Sequence, residues 1–263
     1  MIGRPELSQL AIAGGVGLQA QEKDYVLAWL LAACATLGPP NLVFKGGTAL
    51  RRCYFPVYRY SEDLDFSTDE PTTQDGLAAL LGGWSEWIDE QVGISAQVVP
   101  DRRSGNGTVY LTFVGPLQAA DGRSLKIDVA TNESVREPSV ERHLLSEYSD
   151  LDGDAYVLNV YSLVEIWAEK TRSLMQRSEP RDLYDLDQLL TEDGTLPDRA
   201  LGLFERKSRA KDLDPTALFE RLAEREKKFE QLWNVRLASQ VADLDTFDGV
   251  WRRVLRGLRQ AKY

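Results

Sequence analysis

Histidine and cysteine are almost missing from this sequence, which has a single histidine, His143, and two cysteines, Cys34 and Cys53. A His-rich metal site is therefore excluded, the cysteine spacing matches no zinc signature, and two thiols are too few for a disulfide scaffold. Both cysteines are expected to be reduced, as in a cytoplasmic protein. A Ser-His-Asp triad would have to use His143, which in VERHLLSEY is expected on a loop or a helix surface. Long apolar runs are missing too. The longest, residues 25–35, falls short of the ~20 residues a membrane-spanning helix needs, so no membrane association is expected. The opening MIGRPELSQL has no basic stretch followed by an apolar one, and no secretory leader is expected.

Positive charge is scarce as well: the formal net charge is −10. Its distribution is uneven. Residues 1–160 hold 12 Lys and Arg against 22 Asp and Glu, whereas residues 161–263 hold 19 of each. Any grip on a polyanion should therefore come from the second half. With 263 residues, 43% of them hydrophobic, the chain can build one large domain or two modest ones.

What the chain does have is concentrated in residues 41–68, NLVFKGGTALRRCYFPVYRYSEDLDFST. A short apolar run at 42–44 predicts a buried strand. Lys45 and the pair Gly46-Gly47 then turn the chain into a helical segment that begins at Thr48. Paired glycines let the backbone approach a ligand, and a helix N-terminus presents free N–H groups to an anion. Beyond Ser61 comes Glu62-Asp63-Leu64-Asp65-Phe66. On a strand, Asp63 and Asp65 project from one face, with Leu64 and Phe66 on the other. Two carboxylates on one face suit Mg²⁺, which takes one or two carboxylates plus substrate phosphates. A glycine pair is often only a tight turn, and Asp-x-Asp often lies on a solvated edge. Together, however, they form the two halves of a Mg²⁺–nucleoside triphosphate site.

KGGTAL followed by the SEDLDF strand resembles the AbiEii/MenT-type toxin family, nucleotidyltransferases of the DNA polymerase β-like superfamily. The gap from Gly47 to Asp63 is longer than in many superfamily members but suits this family. The resemblance implies a catalytic set of Asp63, Asp65, Asp128, Lys170 and Asp182, with Mg²⁺ on Asp63, Asp65 and Asp128. It places the NTP against Lys45, Gly46, Gly47, Thr48, Ser61 and Lys170. A phosphate on Ser61 would put further negative charge beside the carboxylates and disfavour NTP binding. Asp128 lies in SLKIDVA, where Leu125, Ile127 and Val129 alternate with Lys126 and Asp128. It is either a solvated edge residue or the third acid, completing the metal site or deprotonating the attacking hydroxyl. Lys170 lies mid-helix in AEK and Asp182 in RDLYDL, matching the family's downstream lysine and aspartate. Without the resemblance, Lys170 would be taken as solvated. Asp182 would orient it or bind the incoming group, and Asp185, one turn on, is the weaker candidate. The resemblance covers most of residues 20–190; beyond them it is only helical.

The remaining elements follow from pattern. A buried helix is expected at 19–37, with an acidic first turn suiting the helix dipole. A second, capped by Thr72 or Thr73, should run to Val92. Strands are expected at 94–99, 108–114, 124–130 and 156–161, with a hairpin at Gly105-Asn106-Gly107 and a short helix at 139–148. Ser162 and Glu165 form a capping box. Helices near 198–209, 215–233 and 246–261 complete a two-lobed α+β fold. A nucleotidyltransferase core of mixed sheet and flanking helices spans 1–155, and a helical lobe spans 156–263. In the last helix Trp251, Val254, Leu255 and Leu258 form an apolar stripe, with Arg252, Arg253, Arg256, Arg259 and Lys262 outside it. These basic residues form either an RNA backbone contact or a solvated face, as do Arg206, Lys207, Arg209 and Lys211, and Arg225, Lys227 and Lys228.

Family members are toxins paired with a cognate antitoxin, and several modify the 3′ end of tRNA and stop translation. Transfer of NMP to tRNA is thus the function implied. Transfer to a protein or small-molecule hydroxyl, and a non-catalytic nucleotide-binding interaction protein, stay open beside it.

Overall fold

The computed structural model describes residues 1–100, 107–119, 123–131, 133 and 137–261. The backbone divides into two compact units, Met1–Val135 with Ser139–Val160, and Arg136–Pro138 with Tyr161–Tyr263.

The first unit is built on a mixed sheet. Its strands are β1 (Val43–Lys45), β2 (Asp63–Ser67), β3 (Ser95–Pro100), β4 (Thr108–Val114), β5 (Arg123–Ala130), β6 (Val140–His143) and β7 (Val157–Val160). Among the described residues they lie in the order β3-β4-β5-β2-β1-β7-β6. β2 pairs parallel with β5 and antiparallel with β1, while β1 pairs parallel with β7. β3 and β4 pair antiparallel, as a hairpin requires, although the expected Gly105-Asn106 turn lies outside the described residues. The alternation in β5 sends Leu125, Ile127 and Val129 into the core together with Leu64 and Phe66 of β2. Helices α2 (Leu18–Leu37) and α4 (Gln74–Val92) supply the rest of that core. α2 is buried without a break from Tyr25 to Cys34, which is why its sequence shows no polar stripe. Thr73 caps α4, its Oγ1 accepting from the Gly76 N–H at 3.1 Å.

Two expectations need correction, and one helix forms that no pattern predicts. The first turn of α2 holds no acid. Glu22 and Asp24 come one turn later and are buried, paired with Arg123 and with Arg51 and Arg52, so they serve ion pairs rather than the helix dipole. A helix, α1 (Arg4–Ala13), forms where the sequence is weakly patterned. The segment 139–148 is no helix: its first half is β6, paired antiparallel with β7, and Leu144 and Tyr148 are buried beyond it. His143 ends that strand on an exposed edge, its Nδ1 2.9 Å from the Asp154 carbonyl.

The second unit is helical: α5 (Leu163–Gln176), α6 (Pro180–Glu192), α7 (Leu196–Arg209), α8 (Leu218–Leu237) and α9 (Phe247–Gln260). The division falls between Val160 and Tyr161 rather than at 155/156, because β7 hydrogen-bonds into the sheet. Ser162 Oγ accepts from the Glu165 N–H at 3.2 Å, as a capping box predicts. The Glu165 carboxylate, however, is taken up by Lys207 at 2.6 Å and by the Glu137 N–H at 3.0 Å. Lys207 is therefore a buried framework residue rather than part of a basic surface. Phe229, Trp233, Phe247 and Trp251 stack between α8 and α9, with ring centroids 5.4–5.9 Å apart. Helix α3 (Gly46–Ala49), of the first unit, belongs to the site.

Candidate active site

β1 delivers the chain into Gly46 at φ +82°, a conformation that side chains rarely adopt. A Cβ at Gly46 would also lie 2.6 Å from Asp65 Oδ2, so glycine alone lets the turn approach that carboxylate. Next to it, the guanidinium of the buried Arg59 lies where a side chain at Gly47 would project. α3 runs on into a π-helical turn, Leu50–Tyr54. The buried Thr48 donates through Oγ1 to the Asp63 carbonyl at 2.6 Å, tying the glycine turn to the start of β2. Ser61, just before β2, is buried, which puts its hydroxyl out of reach of a modifying enzyme in this conformation.

The end of this helical segment is anchored by charge. Asp24 is buried between Arg51, at 2.9 and 3.1 Å, and Arg52, and accepts from Tyr148 at 2.8 Å. Arg52 also binds Glu147 at 2.8 Å, and Arg51 lies 3.8 Å from the centre of the Tyr60 ring. Burial pushes the Asp24 carboxyl upward, but Arg52 and Arg51 outweigh it and hold it below the ordinary 3.8. Both arginines are thus committed to fixing the segment that follows the glycine turn.

Strand register assembles the acids. Lys45 lies opposite Asp65 across β1 and β2, and Asp65 lies opposite Asp128 across β2 and β5. Asp63, two residues before Asp65, lies opposite Lys126. All five therefore belong to the sheet face away from Leu64, Phe66, Ile127 and Val129. Asp128 accepts from Thr108 Oγ1 at 2.6 Å and pairs with Lys126 through its other oxygen. The Lys45 ammonium pairs with Glu133, a carboxylate just beyond β5. Burial disfavours the charge on Lys126, but Asp128, with smaller contributions from Asp63 and Asp65, raises its pKa. The negative field of the three acids is thus felt at one ammonium.

Among the described residues, no three His, Cys, Asp or Glu side chains stand close enough together to hold a metal ion. The donor set nevertheless fits a hard cation that uses one or two carboxylates and takes its other oxygens from phosphate and water. Asp63 and Asp65 supply such a pair, partly exposed on one face.

Lys170, Asp182 and Asp185 come together in the helical unit. The Lys170 ammonium lies 2.9 Å from Asp182 and 2.6 Å from Asp185. Asp182 also binds Arg177 at 2.8 Å. Burial raises the Asp182 carboxyl, but Lys170 and then Arg177 hold it below 3.8. Lys170 is not the solvated lysine that its mid-helix position alone suggests, and Asp185 engages it as directly as Asp182 does. Glu133, Arg59 and the Asp24 network carry no local signal in the sequence. Lys126 could have been noticed, since it stands two residues before Asp128 on the same strand face.

The model of the AbiEii nucleotidyl transferase toxin family, a type IV toxin–antitoxin system, matches residues 29–253. The chain belongs to this family. Its fold is similar to that of MenT4, a nucleotidyltransferase toxin from Mycobacterium tuberculosis H37Rv, with a TM-score of 0.74 and 22% identity over 99% of this chain and 90% of that one. An antigenic nucleotidyltransferase-like protein from Paracoccidioides brasiliensis aligns with a TM-score of 0.41 and 16% identity over 76% of this chain and 97% of that one, too loosely to bear on the site. No curated protein matches the sequence significantly. Membership of the AbiEii family makes the chain a nucleotidyltransferase of the toxin–antitoxin type and implies a cognate antitoxin. No helix among the described residues is long and apolar enough to cross a membrane.

Proposed function

We propose that this AbiEii-family chain transfers a nucleoside monophosphate from an NTP to an RNA hydroxyl, at the 3′ end of tRNA, and so blocks translation in the cytoplasm. One observation carries the reading. The register sets Asp65 beside Asp128, with Asp63 on the same face, and Gly46 turns so close to Asp65 that no side chain fits between them. Carboxylates facing a glycine turn suit a triphosphate that must be both neutralised and approached by backbone.

Asp63 and Asp65 would hold Mg²⁺, with Asp128 beside them. When bound, the ion would offset the triphosphate charge and favour in-line displacement at the α-phosphorus. The acceptor oxygen bonds to that phosphorus as its bond to the β-phosphate bridge breaks, and pyrophosphate leaves with the released electron pair. The hydroxyl proton goes to solvent or to Asp128, where it must share an oxygen with the bond from Thr108 or Lys126. Lys170, set by Asp182 and Asp185, is assigned to the phosphate charge.

Incubation of the purified chain with each labelled NTP and total tRNA tests this. Label is expected on RNA with at least one NTP and is expected to vanish with Asp65→Asn. RNA label that survives Asp65→Asn overturns the assignment of the site. A labelled protein band in place of labelled RNA moves the acceptor to a protein hydroxyl.

A further inference from the structure

The arginines of α9 serve two different purposes. Arg253 is committed to the fold: its guanidinium lies 2.8 Å from Asp187 of α6 and 2.7 Å from Asp245. Arg252, Arg256 and Arg259 are spaced four and three residues apart, so they share one face over about 10 Å of helix. With Leu255 and Gln260 they line a depression of about 400 Å³ that has no acid in its wall. All three arginines are exposed. Arg252 has one distant partner, Asp248 at 3.7 Å, itself in water. Arg256 and Arg259 pair with no carboxylate among the described residues, and Arg259 lies 5.7 Å from the Phe219 ring centre.

We infer that this face of α9 is a docking surface for an RNA phosphate backbone. Three exposed guanidinium groups in a row, only one of them paired with a carboxylate among the described residues, make a local positive strip on a chain whose net charge is −10. That positive charge is complementary to a polyanion, which the chain's acidic residues would repel elsewhere. Guanidinium forks match phosphate oxygens bidentately, and arginine also stacks on flat rings, which favours a nucleic acid over an acidic peptide. Such contacts position the polyanion without reading its sequence. The strip is built from residues other than the sheet carboxylates, and the inference depends on the proposed transfer reaction only for the choice of RNA as the polyanion.

Fluorescence anisotropy of labelled total tRNA with the full chain, over a series of salt concentrations, tests the inference. A variant carrying Arg252→Gln, Arg256→Gln and Arg259→Gln is expected to bind tRNA at least about tenfold more weakly. Its log–log salt slope should be shallower by about 2–3. Thermal melting should change little, because all three are exposed and their contacts with Asp248 and the Phe219 ring are weak. If the triple variant does not fold, Arg256→Gln alone should lower the slope by about 1. Unchanged affinity and slope in the variant overturn the inference and leave the strip to an acidic protein segment, and a wild type that does not bind tRNA overturns it as well. Binding that depends on α9, with no label transferred from any NTP, would sink the transfer reading and leave this one standing. Transfer that is equally fast in the triple variant would do the reverse.

Discussion

Two charged clusters flank the same short helical segment, and they are built to opposite ends. Beyond its C-terminal end, Asp24, Arg51, Arg52, Glu147 and Tyr148 form a network in which Asp24 and Arg52 are each 1% exposed. At its N-terminal end, Asp63, Asp65, Asp128 and Lys126 share a sheet face, with Asp128 30% and Lys126 37% exposed. In the buried cluster two guanidinium groups answer two carboxylates, and each carboxylate touches both. At the open end Lys126 pairs with Asp128 and feels Asp63 and Asp65, while Lys45 pairs with Glu133. Burial demands neutrality and full hydrogen bonding. Partly exposed carboxylates, by contrast, stay within reach of water or of a cation. Under the proposed function, the difference separates residues that hold the glycine turn in place from residues that would act on a nucleotide bound there.

The comparison breaks most visibly at Asp65. Asp65→Ala should lower nucleotide transfer by about 10³-fold or more, since on the proposed function it removes a carboxylate that would hold the cation at the reacting phosphate. Stability should hardly change, because a partly exposed carboxylate in an acidic cluster contributes little to folding. Denaturant melts beside the labelling assay check both halves. A large loss of stability would mean that the open cluster is framework after all. Asp24→Ala should do the opposite. It leaves Arg51 and Arg52 buried without their shared carboxylate, which costs about 3–5 kcal/mol in urea unfolding. Transfer should fall only as far as the folded fraction falls.

Acid titration sharpens the same contrast. Asp24 is held below 3.8 by Arg52 and Arg51 against its burial, and Asp182 by Lys170 and Arg177. A carboxyl depressed in the folded state contributes stability that is complete above its unfolded value, about 3.9, and is lost as pH falls through the lower folded value. Unfolding followed by tryptophan fluorescence should therefore show stability level above about pH 5 and falling steeply below about pH 4. Asp24→Asn should start lower at neutral pH and fall less steeply. A parallel curve would mean that Asp24 has no depressed pKa.

Local pattern made most of the strands and helices legible. The alternation of Leu125, Ile127 and Val129 defined β5, and Thr73 marked the start of α4 within one residue. The pairing of the Asp65 strand with the Asp128 strand is implied by the family resemblance but not by local pattern, because register is a property of two distant segments and a one-residue slip would turn Asp128 to the core. No local pattern marks Arg51 and Arg52 as buried, because their partners are 27 or more residues away in sequence. Glu22 and Asp24 were misleading for the same reason. The segment 139–148 failed differently: Leu144, Leu145 and Tyr148 have helical spacing, yet pairing with β7 fixes its first half as strand. For Lys170, sequence alone favoured a solvated lysine, and only its partners on α6 explain its burial.

The smallest effect tests the open cluster most finely. Lys126 is the ammonium at which the charges of Asp63, Asp65 and Asp128 converge. Lys126→Met keeps the length of the side chain and removes its charge, so the acids should attract a divalent cation more strongly when no nucleotide is present. A unit charge about 4 Å away is worth about 1 kcal/mol at the dielectric of water, which is about fivefold in a binding constant. Titration of Mn²⁺ followed by electron paramagnetic resonance should show about that gain in the nucleotide-free protein, shrinking at high salt because the site is open. Asp63→Asn in the same background should reverse it. If Lys126→Met weakens Mn²⁺ binding instead, the ammonium is holding Asp128 in the orientation the ion needs, and the open cluster is more tightly built than its exposure suggests.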